Sequence, residues 1–393
     1  MSILIGLAGI AVVIGIAFLL SNDKSNINLR AVGVMFVLQL AITWFMFNTK
    51  IGAAVVGFVS DGVSKMMGYG YDGIAFVTGG WVPEGGSVFF INVLLLIVFT
   101  STVLSLLTYL RVLPLAIKYI GGGIAKITGL PQVESFNAVN SVFFGQSESL
   151  LAVKSHIDRL NDNRLFIIST SAMSSVSASI MGAYMTMIPA EYVLVAMVLN
   201  MFSGLIVASI VAPVKADKDE KIDIKDVQTS NSVFAAISNG ALDGGKVALI
   251  VAAMLIAYIG LMAMINAIVG ATLGTSLEEI FGFLLAPVAF IMGVPAVDMS
   301  AVASLMGVKL VANEFVAMLS LTEIKETLTP KGLAIISTFL VSFANFSSIG
   351  IISGSMQAIN GEKADVVAKF GLKMLLTATL VSILSATIVG LFV

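Results

Sequence analysis

A short polar run, Gly145-Gln146-Ser147-Glu148, interrupts an otherwise apolar part of the sequence. An amide beside a carboxylate supplies both donors and acceptors, which suits the edge of a heterocyclic base. Polar groups within a membrane are costly unless they bind something, and such residues mark binding sites. The run therefore predicts a ligand site. The alternative is that these groups cap a turn and bind nothing.

A second polar pair, Asn313-Glu314, lies in an equally apolar stretch. A carboxylate can accept two hydroxyl protons at once, which fits the vicinal diol of a sugar. Asn345 and Ser348, further along the chain, could complete the hydrogen bonding. We therefore expect a sugar at this pair, with a Glu314 satisfied by its own backbone as the alternative.

Serines and phenylalanines in two further stretches allow two interpretations each. Serine most often provides small-residue packing between membrane helices, but unwound carbonyls and a hydroxyl would also make an oxygen cage for a monovalent cation. Phe343 and Phe346 either pack in the core or stack on a ligand ring. The serines concerned are Ser174, Ser175, Ser177 and Ser179.

The composition identifies the class of protein that must position these residues. Of 393 residues, 58% are hydrophobic and 11% are charged, whereas a soluble domain carries about 25% charged residues. We therefore expect an integral membrane protein with lipid around it. A net charge of -2 without a Lys/Arg-rich run argues against nucleic acid as a partner. The absence of cysteine and the single His156 argue against thiolate and histidine metal sites.

The hydrophobic pattern predicts an all-α polytopic fold with eight spans, because a span needs about 17–25 apolar residues. Two stretches, 133–157 and 296–320, are broken at their centres, so each should form a re-entrant helical hairpin. Interfacial helices are expected at 51–85, 112–131 and 278–295. The spans are 2–20, 31–48, 88–110, 165–188, 192–213, 247–269, 332–356 and 370–393. The first is expected to be retained, since it lacks the features of a signal peptide.

Lysine and arginine are distributed unequally between the two sides of this arrangement. Sixteen of them fall in loops on one side and only Lys50, Lys65, Lys325 and Lys331 on the other. The richer side should be cytoplasmic, which places both termini outside. The charged run 215–226 is then a cytoplasmic linker.

The order of parts repeats within the chain. Hairpin 133–157 and its two following spans match hairpin 296–320 and its two following spans, and the first span after each hairpin is broken by small polar residues. With the predicted orientation the copies are inverted, the architecture of secondary transporters with a substrate site at the repeat interface. The expected divisions are scaffold 1–110, first repeat 111–213, linker and scaffold span 214–270, and second repeat 271–393.

Two other motifs each lack a residue that their function requires. Gly240 to Val247 has phosphate-loop spacing up to Lys246, but Val247 replaces the required Ser or Thr. Gly68-Tyr69-Gly70 lacks the Thr-Val that precedes a potassium filter. An ion channel remains an alternative class, and no nucleophile and base pair supports an enzyme.

Three motifs together resemble the concentrative nucleoside transporters, most closely the bacterial nucleoside permeases, over essentially the whole chain. They are Gly145-Gln146-Ser147-Glu148, Asn313-Glu314-Phe315-Val316-Ala317-Met318 and the run from Ser342 to Gly350. The resemblance implies eight transmembrane helices, two re-entrant hairpins and interfacial helices. It also implies a homotrimer whose transport domain moves as an elevator.

The resemblance assigns roles to individual positions. It implies that Gln146, Ser147 and Glu148 bind the nucleobase, with an apolar contact from Ile180. It places Glu314, Asn345 and Ser348 on the ribose and Phe343 against the substrate. In sodium-coupled members the ion would lie at Ser141, Phe144, Ser175 and Val176. Ser141 differs from the asparagine associated with sodium dependence, which favours H+ over Na+, with Glu148 or Glu314 as a proton carrier.

The sequence therefore predicts a symporter of the cytoplasmic membrane, not an enzyme, that imports nucleosides without an organic cofactor. Pyrimidine nucleosides such as uridine and cytidine are the expected substrates, with adenosine as an addition. A symporter for a free nucleobase or another polar solute is the alternative within transport.

Overall fold

The structure, a computed structural model, describes residues 2–81, 88–215 and 230–393, and in these ranges it contains nineteen α-helices and no strand. The helices are α1 Ser2–Leu19, α2 Leu29–Asn48, α3 Lys50–Thr78, α4 Leu96–Tyr109, α5 Val112–Thr128, α6 Gln132–Phe143, α7 Gln146–Leu151, α8 Lys154–Ile157, α9 Asp162–Ser174, α10 Ala178–Met185, α11 Ala190–Val211, α12 Val233–Leu273, α13 Leu277–Ile291, α14 Met299–Val311, α15 Glu314–Ile324, α16 Pro330–Leu340, α17 Phe346–Ile359, α18 Gly361–Lys369 and α19 Gly371–Phe392.

The all-α fold with eight spans is confirmed. Among the described residues, six helical segments are long and apolar enough to cross a membrane: α2, Phe90–Tyr109, Asp162–Met185, α11, α12 and α19. Phe90–Tyr109 combines a short π-helical turn with α4, and Asp162–Met185 combines α9 with α10. The other two spans are α1, with 18 residues, and the apolar pair α16 and α17, each too short alone.

Both predicted hairpins are present as pairs of short helices. The first arms, α6 and α14, have 12 and 13 residues, a length of about 18–20 Å. Such an arm cannot cross a hydrocarbon core of about 30 Å, so the chain turns back into α7 and α15. The turns lie at Phe144-Gly145 and Ala312-Asn313. The predicted polar runs begin at these turns and continue into the first turns of α7 and α15.

At the start of each hairpin, a carboxylate binds a residue at the start of the span that follows. Glu134 forms a buried ion pair with Arg164, in which guanidinium nitrogens lie 2.5 and 2.8 Å from the two carboxylate oxygens. Asp298 accepts hydrogen bonds from the backbone N–H and the hydroxyl of Thr329. The start of each hairpin is therefore held to the start of the broken span beside it.

Each broken span loses its helical hydrogen bonding at the small polar residues identified from the sequence. Helix α9 stops at Ser174 and α10 starts after the cap Ser177, whose hydroxyl accepts from the Ser179 N–H. Helix α16 stops at Leu340, and α17 starts after its cap Asn345. The Phe343 N–H donates to the Ser175 carbonyl at 3.2 Å. The two unwound segments therefore meet inside the protein, where exposed backbone at membrane depth can be satisfied.

The predicted length of one span was wrong. Helix α12 runs for 41 residues from Val233 to Leu273, not over 247–269. Asn239, Asp243 and Lys246 lower the hydropathy of its first half, in which the backbones of Gly240 and Gly244 pack directly on α4. A Cβ at Gly240 would lie 2.7 Å from the Thr102 Cα.

Except for Lys215, the linker predicted at 215–226 lies outside the described residues, as does the end of the surface segment 51–85.

Candidate functional site

One cavity of about 290 Å³ lies between the two hairpin turns and the two broken spans. It is lined by all eight residues predicted to bind substrate: Gln146, Ser147, Glu148, Ile180, Glu314, Phe343, Asn345 and Ser348. These residues come from α7, α10, α15 and α17 and the segments before them. The structure therefore brings the two polar runs into one site, as the repeat arrangement requires.

Glu314 forms the buried end of this cavity. It is the first residue of α15, whose cap Asn313 accepts from the Val316 N–H at 2.9 Å. The Tyr184 hydroxyl donates to Oε1 of Glu314 at 3.0 Å, and Asn345 Nδ2 donates to Oε2 at 3.1 Å. Each carboxylate oxygen can accept a further hydrogen bond. Glu314 is thus oriented by protein donors and can still accept hydroxyl protons from a ligand.

Asn345 connects this carboxylate to the start of α17. Its side-chain oxygen accepts from the Ser348 N–H at 3.0 Å, while its nitrogen donates to Glu314. The Ser347 hydroxyl donates to the same oxygen at 2.7 Å. Both ends of this amide are therefore used, which fixes its orientation and that of Glu314.

Gln146 provides a neighbouring polar wall. Its Nε2 donates to the Ser348 hydroxyl at 2.9 Å, and that hydroxyl donates to the Phe343 carbonyl at 2.5 Å. Gln146 Oε1 is buried and has no hydrogen-bond partner among the described residues. An unpaired buried acceptor is costly. It is therefore available to a ligand donor such as an amide or amino group.

Glu148 lies on the exposed side of the cavity, unlike Glu314. A Cβ at Gly145 would meet its Oε2 at 2.5 Å, so the glycine lets the carboxylate fold back over the turn. A second cavity of about 440 Å³ begins at Gly145 and Glu148 and extends to Lys154 and Lys246. The two cavities are therefore adjacent, with Gly145, Glu148, Ser177 and Ser179 in both linings, and the wider one lies toward the face predicted to be cytoplasmic.

Sequence reasoning missed one wall of the site and two polar partners. Helix α12 contributes an apolar wall, and no motif pointed to it because its residues look like ordinary span. Tyr184 lies one helical turn beyond Ile180 on α10, so an i, i+4 search from Ile180 could have found it. Ser355 donates to the Ser147 hydroxyl at 2.7 Å. The α12 wall consists of Val247, Ile250, Val251 and Met254.

The four residues expected at a cation lie where α6 approaches the break after α9. Ser141, Ser175 and Val176 are buried, and Phe144 lines the second cavity. The Ser141 hydroxyl donates to the Ala138 carbonyl and the Ser175 hydroxyl to the Ser171 carbonyl, each at 3.0 Å. No hydrogen bond joins the two hydroxyls in the described part of the chain. Each keeps its lone pairs for another partner.

Comparison with protein families covers nearly the whole chain. Residues 8–81 and 192–390 match the N-terminal and C-terminal models of the Na+ dependent nucleoside transporters. Residues 90–191 match a model described as nucleoside recognition.

Individual relatives match at full length. The chain is 39% identical to the purine nucleoside transport protein NupG of Bacillus subtilis, with 100% of both chains covered. It is 33% identical to the nucleoside permease NupC of Helicobacter pylori, with 100% of this chain and 98% of the relative covered. Among solved structures, CNTnw in an inward-facing substrate-bound state is 33% identical with a TM-score of 0.92, over 100% of this chain and 98% of that one. A double variant of CNTnw in an outward-facing state gives 0.95 with the same identity and coverage.

Proposed function

Because the chain belongs to the concentrative nucleoside transporter family, we propose that it imports nucleosides across the cytoplasmic membrane by cation-coupled symport. One observation carries the proposal: the two hairpin turns present Gln146, Glu148 and Glu314 to a single cavity. A base joined to a sugar needs two different polar ends in one site. The cavity has such ends.

The proposed pose follows from the hydrogen-bonding capacity of each end. The ribose hydroxyls donate to Glu314, which Tyr184 and Asn345 hold in place, and Ser348 is close enough to share them. The base lies against Phe343 and Ile180. Its donors reach the unpaired oxygen of Gln146, and Ser147 and Glu148 complete that end. An analogue without the hydroxyls would leave buried acceptors unpaired, which disfavours it strongly.

The proposal for the coupling ion depends on a residue of the first hairpin. The serine at Ser141 favours a proton as the coupling ion, carried by Glu148 or Glu314. Sodium is the second candidate, because the matching family models are described as Na+ dependent. The Ser141 and Ser175 hydroxyls beside an unwound segment would offer it oxygen ligands.

The base preference also has two candidates. The sequence predicts pyrimidine nucleosides, with adenosine as an addition. Purine nucleosides are favoured by the relative from Bacillus subtilis, whose name specifies them and which is 39% identical over the full chain. The apolar α12 wall at Ile250 and Met254 would face the larger ring.

The proposal includes the oligomeric state of the protein and the movement of its transport domain. The protein is a homotrimer with both termini outside, and its hairpins and broken spans move together as the transport domain. The second cavity between Glu148 and Lys246 then provides the route by which substrate leaves toward the cytoplasm.

Uptake into proteoliposomes tests the function and separates the alternatives. Labelled uridine and adenosine should enter saturably, and unlabelled nucleosides should compete whereas free uracil and adenine do not. Competition by free bases would instead indicate a nucleobase symporter, and conductance without saturable uptake an ion channel. Uptake driven by an imposed pH gradient in sodium-free buffer supports proton coupling. An absolute sodium requirement would reverse that assignment.

A further inference from the structure

Lys309 is fully buried near the end of the first arm of hairpin 2, and the site described above does not use it. Its ammonium donates to the Phe339 carbonyl at 2.5 Å, to the Ser342 hydroxyl at 2.7 Å and to the Ser382 hydroxyl at 3.3 Å. It also lies 4.2 Å from the centre of the Phe339 ring. All three N–H donors of the ammonium therefore have acceptors.

The charge of Lys309 is stabilised by the dipoles around it and by the electrostatic attraction of Glu314, which makes no direct ion pair with it. None of the ion pairs found in the described ranges includes it. A buried cation without a carboxylate partner is expensive unless oxygen dipoles or an aromatic face stabilise it. The Phe339 carbonyl lies in the last turn of α16, and the Ser342 hydroxyl lies in the break after it, while Ser382 reaches in from α19. The C-terminal end of a broken helix is where membrane transporters coordinate monovalent cations. The surroundings of the Lys309 ammonium thus resemble a cation site.

The position of Lys309 in the second repeat corresponds to the cation position of the first. Lys309 lies two residues before Val311, the last residue of α14, and Ser141 lies two residues before Phe143, the last of α6. Ser342 lies two residues after the end of α16, as Val176 does after the end of α9. Lys309 and Ser342, which are hydrogen-bonded in repeat 2, therefore correspond to Ser141 and Val176, two residues predicted to hold an ion in repeat 1.

We propose that the Lys309 ammonium is a tethered cation that permanently fills, in the second repeat, the position that a transported cation takes in the first. The second repeat then has no vacant site for a transported cation beside the break after α16, which leaves the position of Ser141 in the first hairpin as the site where such a cation would bind. The comparison between the repeats rests on the proposed function, whereas the coordination of Lys309 does not.

Truncation and cation rescue test this proposal without measuring transport. Lys309→Ala leaves the oxygen ligands and opens space for an ion, while Lys309→Met fills the same space with an uncharged chain. Purified protein is melted at constant ionic strength in chlorides of methylammonium, sodium or N-methylglucamine. Both variants should melt below the parent protein. Only Lys309→Ala should then gain about 3 °C or more with methylammonium or sodium beyond any gain shown by the parent protein.

Each outcome decides the proposal. A Lys309→Met protein with the melting temperature of the parent shows that no cation is needed there. A folded Lys309→Ala protein that gains no more from either small cation than the parent does overturns the proposal. So does its failure to fold with methylammonium present throughout purification, because a vacant cation position should refill. If rescue is seen but nucleosides are not taken up, the tethered cation stands and the proposed function fails.

Discussion

The side-chain amide of Gln146 donates to the Ser348 hydroxyl across 2.9 Å, although the two residues are 202 positions apart. One belongs to the turn of hairpin 1 and the other to the second broken span. The bond joins the two repeats at the point where the base and ribose ends of a nucleoside would meet. The two halves of the site are therefore not independent.

Gln146→Ala should weaken nucleoside uptake by raising KM about tenfold or more, because it removes a base contact and an amide partner of Ser348. The measurement is initial uptake rate against nucleoside concentration in proteoliposomes. Gln357→Ala is the control, since Gln357 is exposed on α17. An unchanged KM for Gln146→Ala would remove Gln146 from the substrate site.

Glu314→Gln should lower kcat/KM for ribonucleosides by about 100-fold or more. The substitution puts an NH2 group among the donors from Tyr184 and Asn345 and removes an acceptor for the ribose. Analogues that lack the 2′ and 3′ hydroxyls should lose much less. Glu323→Gln, at the exposed end of the same helix, is the matched control. Equal losses for both kinds of substrate would contradict the ribose assignment.

Tyr184→Phe should reduce kcat/KM by about tenfold while leaving the melting temperature nearly unchanged. The ring keeps its edge contact with Phe315, at 5.0 Å between centroids, but the donor to Glu314 is lost. Combined with Glu314→Gln, the loss should be less than the product of the single effects, because both act on one hydrogen bond. A fully additive pair would show that Tyr184 acts elsewhere.

The parts of this fold that could be predicted are those with a strong local pattern. The turns at Gly145 and Asn313 stand out because polar residues divide a stretch too short to span twice. Helical spacing from Ile180 could have placed Tyr184 on the face of α10 that meets the site. The partners of Tyr184 and Lys309, Glu314 and Ser342, could not be predicted, because only tertiary packing brings them near. A lone lysine or tyrosine in an apolar helix carries no local signal of its partner.

The length of α12 was missed for a related reason. Hydropathy averages side chains, so Asn239, Asp243 and Lys246 lower the value for its first half, although Gly240 and Gly244 permit close helix packing there. At these positions a Cβ would lie 2.7 Å from α4 atoms, namely the Thr102 Cα and the Val98 Cα. Of the two glycines that match phosphate-loop spacing, Gly240 therefore belongs to a packing surface, whereas a Cβ at Gly245 would meet no atom within 4 Å.

Gly244→Leu should destabilise the protein because it forces α12 away from α4. Gly245→Leu is the matched control: a Cβ at Gly245 would meet no atom within 4 Å. The melting temperature of the purified variants should fall by several degrees for Gly244→Leu and remain close to the parent value for Gly245→Leu. Equal melting temperatures would mean that the contact between α12 and α4 is looser than described.

The ion pair between Glu134 and Arg164 predicts that replacing both residues destabilises the protein less than replacing Arg164 alone. Both side chains are buried, and two guanidinium nitrogens face the two carboxylate oxygens. Arg164→Leu alone leaves a buried carboxylate without this partner, which costs about 3–5 kcal/mol. Glu134→Leu with Arg164→Leu removes both charges and should recover much of that loss. Thermal denaturation of the three proteins in one detergent measures it. A double variant no more stable than Arg164→Leu would contradict this explanation. It would show that the cost comes from losing the hydrogen bonds of the pair, not from burying a carboxylate that has lost its guanidinium.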